Sequence, residues 1–312
     1  MRLPSQLTAA NRGYLAALAS ALFKSITPII VHFLSFEFNM PALVLAFWRE
    51  ALVAVILLVL LALFKPALLR GLRAHRPFLL LFGLSLALYN ATWTLSVPLN
   101  GASVATVLAY SSTAFTALLG WLILREQLGA YKLLAVLLSL LGCGLVLEVF
   151  NGAAWSLNAL GILVGLLSGL MYAFFTLMGR AAALRGLNPW SSLAAAFALA
   201  SLLMLAVNLA FGAGLPGGAR QPSELFWLGR SALGWGMLLL MAAGPTLLGY
   251  GMYNVSLKHL PSSVVNLLLT LEPACTALMA FLIFGERLGA WQVAGSLLIL
   301  AGVLLLRLKP TR

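Results

Sequence analysis

Aspartate is absent from this 312-residue chain; its seven acids are all glutamate, and charged residues make up only 8% of it. A soluble domain carries about a quarter charged residues. Too little polar surface exists here to coat a water-soluble globule, and mean hydropathy is +1.05. The composition describes an integral membrane protein. Cysteine is nearly absent too: Cys143 and Cys275 each lie inside an apolar run and read as small buried hydrophobes, not as a disulfide or metal pair. The three histidines, His32, His75 and His259, are scattered, so spacing offers no metal site. No Gly-x-x-x-x-Gly-Lys-Ser/Thr loop appears, which argues against ATP-driven pumping within the chain. Neither a nucleophile–base pair nor a cofactor motif is visible, so no catalytic residue and no cofactor is expected.

What the chain does have is positive charge, +12 in net terms. A nucleic-acid binder clusters its lysines and arginines on one face or motif. Here they occupy short gaps between apolar runs, which is the pattern of membrane topology. The expected partners are a lipid bilayer and a small-molecule solute, with no nucleic acid. Ala19-Ser20-Ala21 resembles a signal-peptidase site, but the apolar run before it is too short for a signal core, and the chain from Gly13 onward reads as a first span.

A membrane-crossing helix needs about 20 mostly apolar residues. Such runs fall at 13–34, 42–64, 77–97, 101–124, 130–149, 157–179, 189–211, 231–257, 261–284 and 289–307, which predicts ten transmembrane helices. With both termini in the cytoplasm, the inner gaps collect fourteen basic residues and the outer gaps only Arg220, Arg230 and Arg287. That bias is the positive-inside signature of a multi-pass protein of a plasma (inner) membrane. The Gly- and Pro-rich stretch 212–229 reads as a flexible connector.

The chain also repeats itself. At an offset of 160, Glu126 falls on Glu286, Leu128-Gly129-Ala130 on Leu288-Gly289-Ala290, and Ser103-Val104 on Ser263-Val264. Ala114, Thr116, Ala117 and Leu118 likewise fall on Ala274, Thr276, Ala277 and Leu278. Each half holds five spans, an odd number, so the halves lie in opposite orientations. The predicted fold is an all-α integral membrane protein of two inverted five-helix repeats, 1–150 and 151–312. Inverted repeats of this kind mark secondary transporters, with the solute near the midplane between them.

The segment Leu271-Glu272-Pro273 through Gly285-Glu286-Arg287-Leu288 resembles a pattern of the drug/metabolite transporter superfamily, EamA type. The first half carries a weaker copy, Arg125-Glu126-Gln127-Leu128, with Thr113 where a proline would stand; Arg49, after Pro41, is similar to the arginine usual there. The resemblance implies two inverted five-helix bundles around a cavity that moves amino acids, related metabolites, nucleotide sugars or drugs. Because Ser112 and Thr113 replace Glu272 and Pro273, a charged, broken helix is expected in the second half only.

Four ionisable side chains fall well inside spans: Lys24, Arg49, Glu50 and Glu272. Such groups usually face a protein interior or a water-filled cavity. Their charges sum to zero, and pairing of Glu272 with Lys24 or Arg49 is expected. Arg49 and Glu50 are neighbours about 100° apart on a helix and need partners elsewhere. Two readings stand for this network: contact with the solute or a coupling proton, or helix pinning alone. Pro28, Pro245 and Pro273 each remove a helix hydrogen bond, as hinges of a central site or as plain kinks. Tyr89, Asn90, Trp93, Tyr110, Tyr250 and Tyr253 form the candidate pocket, with Tyr172 and Asn254 of the same polar-aromatic type. Tyr14, Trp155, Trp190 and Trp227 read as interface anchors. Gly161, Gly165 and Gly169 repeat every four residues for close helix packing, and Glu126 and Glu286 read as partners of turns and helix ends.

The reading that follows is a secondary transporter of a small organic solute by alternating access, with amino-acid export as the best match and proton coupling through Glu272 as a hypothesis. A drug or organic-cation exporter and a metabolite importer are the alternatives within the fold; an ion channel or a polytopic membrane enzyme are the alternatives outside it. The solute, direction, coupling ion and oligomeric state are not written in the sequence.

Overall fold

The computed structural model describes residues 4–100, 102–146, 149, 159–284 and 289–308. Glu286, Arg287 and Trp155 lie outside them, as does the Gly-Glu-Arg-Leu turn. Among the described residues every regular element is helical. Helices α1 (Pro4–Ser25) and α2 (Thr27–Glu37) form one interrupted rod, followed by α3 (Ala42–Phe64), a short α4 (Pro66–Arg70) and α5 (Arg76–Asn100). Next come α6 (Ala102–Tyr110), α7 (Ser112–Leu124), α8 (Ala130–Val146), α9 (Ala159–Leu184) and α10 (Pro189–Phe211). Helix α11 (Ala232–Met241) runs through a π-helical turn, Ala242–Thr246, into α12 (Leu247–His259). The chain ends with α13 (Ser262–Leu269), α14 (Leu271–Phe284) and α15 (Ala290–Leu308).

Seven helical stretches among the described residues are long and apolar enough to cross a membrane, and 130–146 and 290–305 are shorter apolar helices. The apolar run expected at 261–284 is divided at Thr270 into α13 and α14. Leucines such as Leu63, Leu122, Leu163 and Leu297 point outward at more than half of their full exposure. In lipid that arrangement is favourable, because the acyl chains are as apolar as leucine. The interior mixes leucine and valine with small and aromatic residues, and there Phe82 stacks on Phe175 at 5.0 Å.

Each end of the bundle is tied by long-range bonds. At one end the backbone N–H of Leu43 donates to Gly217 O at 2.8 Å and Trp227 Nε1 donates to Phe38 O at 2.8 Å. These bonds anchor the 212–229 connector, which is structured where a flexible linker was expected. At the other end Ser256 Oγ donates to Gly13 O at 2.9 Å, and Arg180 Nη1 to Leu257 O at 2.7 Å.

Breaks occur at matched places in the two halves. α6 gives way to α7 at Ser111, and α13 to α14 at Thr270. The expectation that only the second half is broken is therefore corrected: no proline is needed at the first break. Ser111 Oγ bonds back to Leu108 O at 2.5 Å and Thr270 Oγ1 to Leu267 O at 2.6 Å, so a hydroxyl takes over part of the lost ladder at each. Glycine makes room for the first break. A Cβ at Gly169 would lie 2.9 Å from Leu108 O and 3.1 Å from Ser112 N, so α9 packs directly on the bend.

Candidate functional site

Lys24 sits in the last turn of α1, immediately before the interruption at Ile26. The interruption has a local cause, since Pro28 is the second residue of α2 and supplies no N–H to the preceding turn. α14 closes on the same place, where Thr276 Oγ1 donates to Ser25 O at 3.2 Å. Glu272, in the first turn of α14, thereby comes within 3.4 Å of Lys24 Nζ through its Oε2. The two side chains are 10% and 18% exposed. The expected pairing of Glu272 is with Lys24, therefore, and not with Arg49.

Aromatic rings complete the cation's surroundings. Lys24 Nζ donates to Tyr172 Oη at 3.0 Å and stands 4.8 Å from the centre of the Tyr250 ring and 5.2 Å from that of Tyr172. Cation–π contact at a desolvated site contributes about 2 kcal/mol. Tyr89 lies against Tyr172 with ring centres 4.6 Å apart. The lysine is held by the Glu272 carboxylate, the hydroxyl and ring of Tyr172 and the ring face of Tyr250, three residues on three different helices.

A second charged group stands nearby. Arg49 and Glu50, adjacent on α3, do not meet. Asn90 of α5 lies between them: Arg49 Nη2 donates to Asn90 Oδ1 at 3.2 Å, and Asn90 Nδ2 donates to Glu50 Oε1. Glu50 is fully buried, and its Oε2 has no partner among the described residues, nor has Arg49 Nε.

These groups surround one cavity of about 480 Å³. Its wall includes Lys24, Arg49, Tyr89, Asn90, Trp93, Tyr110, Tyr172, Tyr250 and Glu272. A smaller cavity of about 260 Å³ adjoins it through Val31, Ser35, Arg49 and Trp93 and reaches the connector at Pro216 and Gly217. The first size suits a solute of amino-acid scale with bound water, at the lower end of ordinary ligand sites. The wall is mostly apolar, with charges at two places.

The structure does not bring every expected residue to this wall. Tyr253 is fully buried behind Tyr172, and its hydroxyl is within 2.5 Å of Thr176 Oγ1, so it does not line the cavity. Trp93 falls on Tyr253 at the repeat offset of 160, so that position holds a wall residue in one half and a packing residue in the other. Asn254 is likewise spent, donating to Tyr250 O at 3.0 Å. Of the three proline positions, Pro245 lies within the π-helical turn. Pro273 follows the break at Thr270 by three residues, in the first turn of α14, where a proline is well tolerated.

The sequence profile of the EamA-like transporter family matches residues 11–148 and again 159–308. The chain belongs to that family. Its relatives include the threonine/homoserine exporter RhtA of Salmonella typhimurium, 28% identical over 256 residues, covering 78% of this chain and 75% of the relative. An uncharacterized transporter of Pseudomonas aeruginosa is 29% identical over 286 residues, 89% of this chain and 87% of its own. Another, from Archaeoglobus fulgidus, is 26% identical over 226 residues, 71% and 74% of the two chains. A solved crystal structure superposes with a TM-score of 0.76 at 15% identity, covering 95% of this chain and 96% of its own, which establishes a shared fold.

Both matched halves of this EamA-like transporter contribute to the cavity: α1, α2, α3, α5 and α6 from the first, α9, the α11–α12 rod and α13–α14 from the second. Sequence reasoning passed over Thr27, Thr106 and Thr246, which also stand in its wall. The one available signal was position. Thr246 directly follows Pro245, and Thr106 falls on Asn266 at the repeat offset. Tyr172 was visible as a polar aromatic, but nothing in its own helix pointed to Lys24.

Proposed function

We propose that this EamA-like transporter is a secondary exporter of a small amino acid or a closely related zwitterion, working by alternating access across the plasma membrane. The observation that carries the reading is the Lys24–Glu272 ion pair, half-sheltered by tyrosines at the wall of a cavity between the two matched halves. A solute carrying both an ammonium and a carboxylate can exchange with such a pair without leaving a charge uncompensated, which a low-dielectric site penalises by several kcal/mol. The RhtA relatives support an amino acid as cargo and export as the direction.

In this reading the chain forms ten spans in two inverted five-helix halves, with 261–284 as a single, interrupted span. The matched breaks at Ser111 and Thr270 support that symmetry. Both termini lie in the cytoplasm, following the basic bias of the gaps. The adjoining cavity that reaches Pro216 and Gly217 then faces the outside. Lys24, Tyr89, Asn90, Trp93, Tyr110, Tyr172, Tyr250 and Glu272 meet the solute, and Ile26, the π-turn at Pro245 and the breaks at Ser111 and Thr270 absorb the rocking of one half against the other. Glu272 is also the group that would carry a coupling proton, in the step after the solute has left and before Lys24 returns to it.

Counterflow in proteoliposomes tests the proposal. Vesicles preloaded with unlabelled threonine, homoserine or another amino acid should take up the labelled form to a transient, saturable overshoot. Saturable uptake of organic cations with no response to any amino acid would favour the drug-exporter alternative, and unsaturable conductance would favour a channel.

A further inference from the structure

The ion pair at Lys24 leaves Arg49 unexplained. Arg49 stands in the wall of both cavities. A guanidinium has five N–H donors in a rigid fork. Among the described residues its one hydrogen-bond acceptor is Asn90 Oδ1, and its Nε is shut off from solvent without a partner. No carboxylate within ion-pair distance accompanies it; the ion pair among the described residues is the one at Lys24. The nearest carboxylate in sequence, Glu50, is turned to the far side of Asn90 and held there by the same amide.

That arrangement has a chemical consequence. A direct Arg49–Glu50 pair would cancel the positive charge at the cavity wall. The interposed neutral amide instead fixes both groups, and the guanidinium stays positive and unsatisfied. Asn90 is 2% exposed and locked at both ends, so the fork is held in position before any ligand arrives. A forked, preorganised donor set matches a planar carboxylate in a bidentate manner, which a lysine ammonium does not.

We infer that Arg49 is the residue that recognises the carboxylate of the transported solute, with Asn90 as its positioning residue and Glu50 holding that amide from behind. The inference rests on the amino-acid reading of the cavity. It assigns the charged places distinct roles: the solute's ammonium replaces Lys24 at Glu272, and the solute's carboxylate is gripped by the Arg49 fork and compensates the displaced Lys24 on the same cavity wall. Arg49 thereby becomes the determinant that separates amino acids from amines, amides and esters of the same shape.

The test compares each proteinogenic L-amino acid with its own carboxamide, by thermal shift and calorimetric titration of the purified full chain. For the best-binding amino acid, the wild type is expected to prefer the acid over the amide by tenfold or more. Arg49→Gln should abolish that preference, weakening the acid at least tenfold and the carboxamide by less than about threefold, since each tenfold corresponds to about 1.4 kcal/mol. Unchanged discrimination in a folded Arg49→Gln protein overturns the inference while leaving the amino-acid reading intact. Binding of no amino acid by the wild type overturns both. Should Arg49→Gln fail to fold, Arg49→Lys is read in its place: it keeps the charge, loses the fork, and should cut the preference at least threefold, and an unchanged preference overturns the assignment.

Discussion

Glu126 and Glu272 each reach from one half of the molecule to the other, and their surroundings differ at every point. Glu126 follows α7, after Arg125 has turned the chain through a left-handed conformation at φ 55°. Its carboxylate accepts four hydrogen bonds from the start of α13: Ser262 N at 2.6 Å, Ser262 Oγ at 2.7 Å, Ser263 N at 3.3 Å and Ser263 Oγ at 2.6 Å. α13 has no side-chain cap of its own, so a residue 136 positions away supplies it. Lys132 Nζ closes the group by donating to Ser263 Oγ at 3.0 Å. A Cβ at Gly120 would come within 3.1 Å of both Glu126 Oε2 and Ser262 Oγ, so the absence of a side chain there leaves space for the junction.

Glu272 stands in the first turn of its own helix and has one cation at 3.4 Å, with the cavity on its other side. Saturated hydrogen bonding makes Glu126 a staple, because every acceptor site that is lost leaves a donor of α13 unpaired. In the proposed function, incomplete bonding is what makes Glu272 exchangeable, with a ligand cation taking the place of Lys24. The same residue type is structural where its partners are backbone and hydroxyl donors, and available where its partner is one flexible side chain.

Substitutions can break this contrast, beginning with the largest effect. Lys24→Met alone strands a buried carboxylate, and Glu272→Gln alone strands a buried ammonium; each should lower folding stability by about 3–5 kcal/mol at most and transport by roughly 100-fold. The double variant Lys24→Met/Glu272→Gln should recover much of the stability in thermal melting but none of the transport. Recovery of both would show that the pair only pins helices. Glu126→Ala should cost about 2–3 kcal/mol of stability, through the lost cap and the stranded hydroxyls. At a temperature where the variant is folded, its solute affinity should match that of the wild type, and a loss of affinity larger than the loss of stability would erase the distinction between staple and site.

Two tyrosines sharpen the comparison further. Tyr172→Phe removes a hydroxyl that accepts from a charged donor and should change solute affinity by about 1–2 kcal/mol, read by calorimetric titration. Tyr253→Phe removes a hydroxyl bonded to Thr176 away from the cavity. It should cost about 1 kcal/mol in melting and leave affinity unchanged. If the two variants behaved alike in titration, the boundary drawn between wall and packing layer would be wrong.

Charge at membrane depth was readable from the sequence because it is costly, and cost demands a partner. Lys24, Arg49, Glu50 and Glu272 could therefore be singled out as a group, and the pairing of Lys24 with Glu272 was one of two expected. Apolar length gave the helices, and the repeat offset placed α13–α14 over α6–α7. What could not be read was direction around each helix. Tyr253 and Tyr250 are three residues apart on α12, yet only Tyr250 faces the cavity, and the sequence around them is apolar on all sides. Nor did the first break announce itself, since serine and threonine leave the ladder without a proline's signature. Glu126 was legible as a helix-end partner, but the helix it caps lies in the other half, and no local pattern records that contact.

Amino-acid counterflow through Glu272→Gln proteoliposomes, run beside wild type and Tyr253→Phe, tests the central claim most directly. The wild type and Tyr253→Phe should exchange label at comparable rates, while Glu272→Gln falls by roughly 100-fold, about 2.7 kcal/mol in barrier terms. Undiminished counterflow through Glu272→Gln would contradict the assignment of Glu272 and its lysine to the solute.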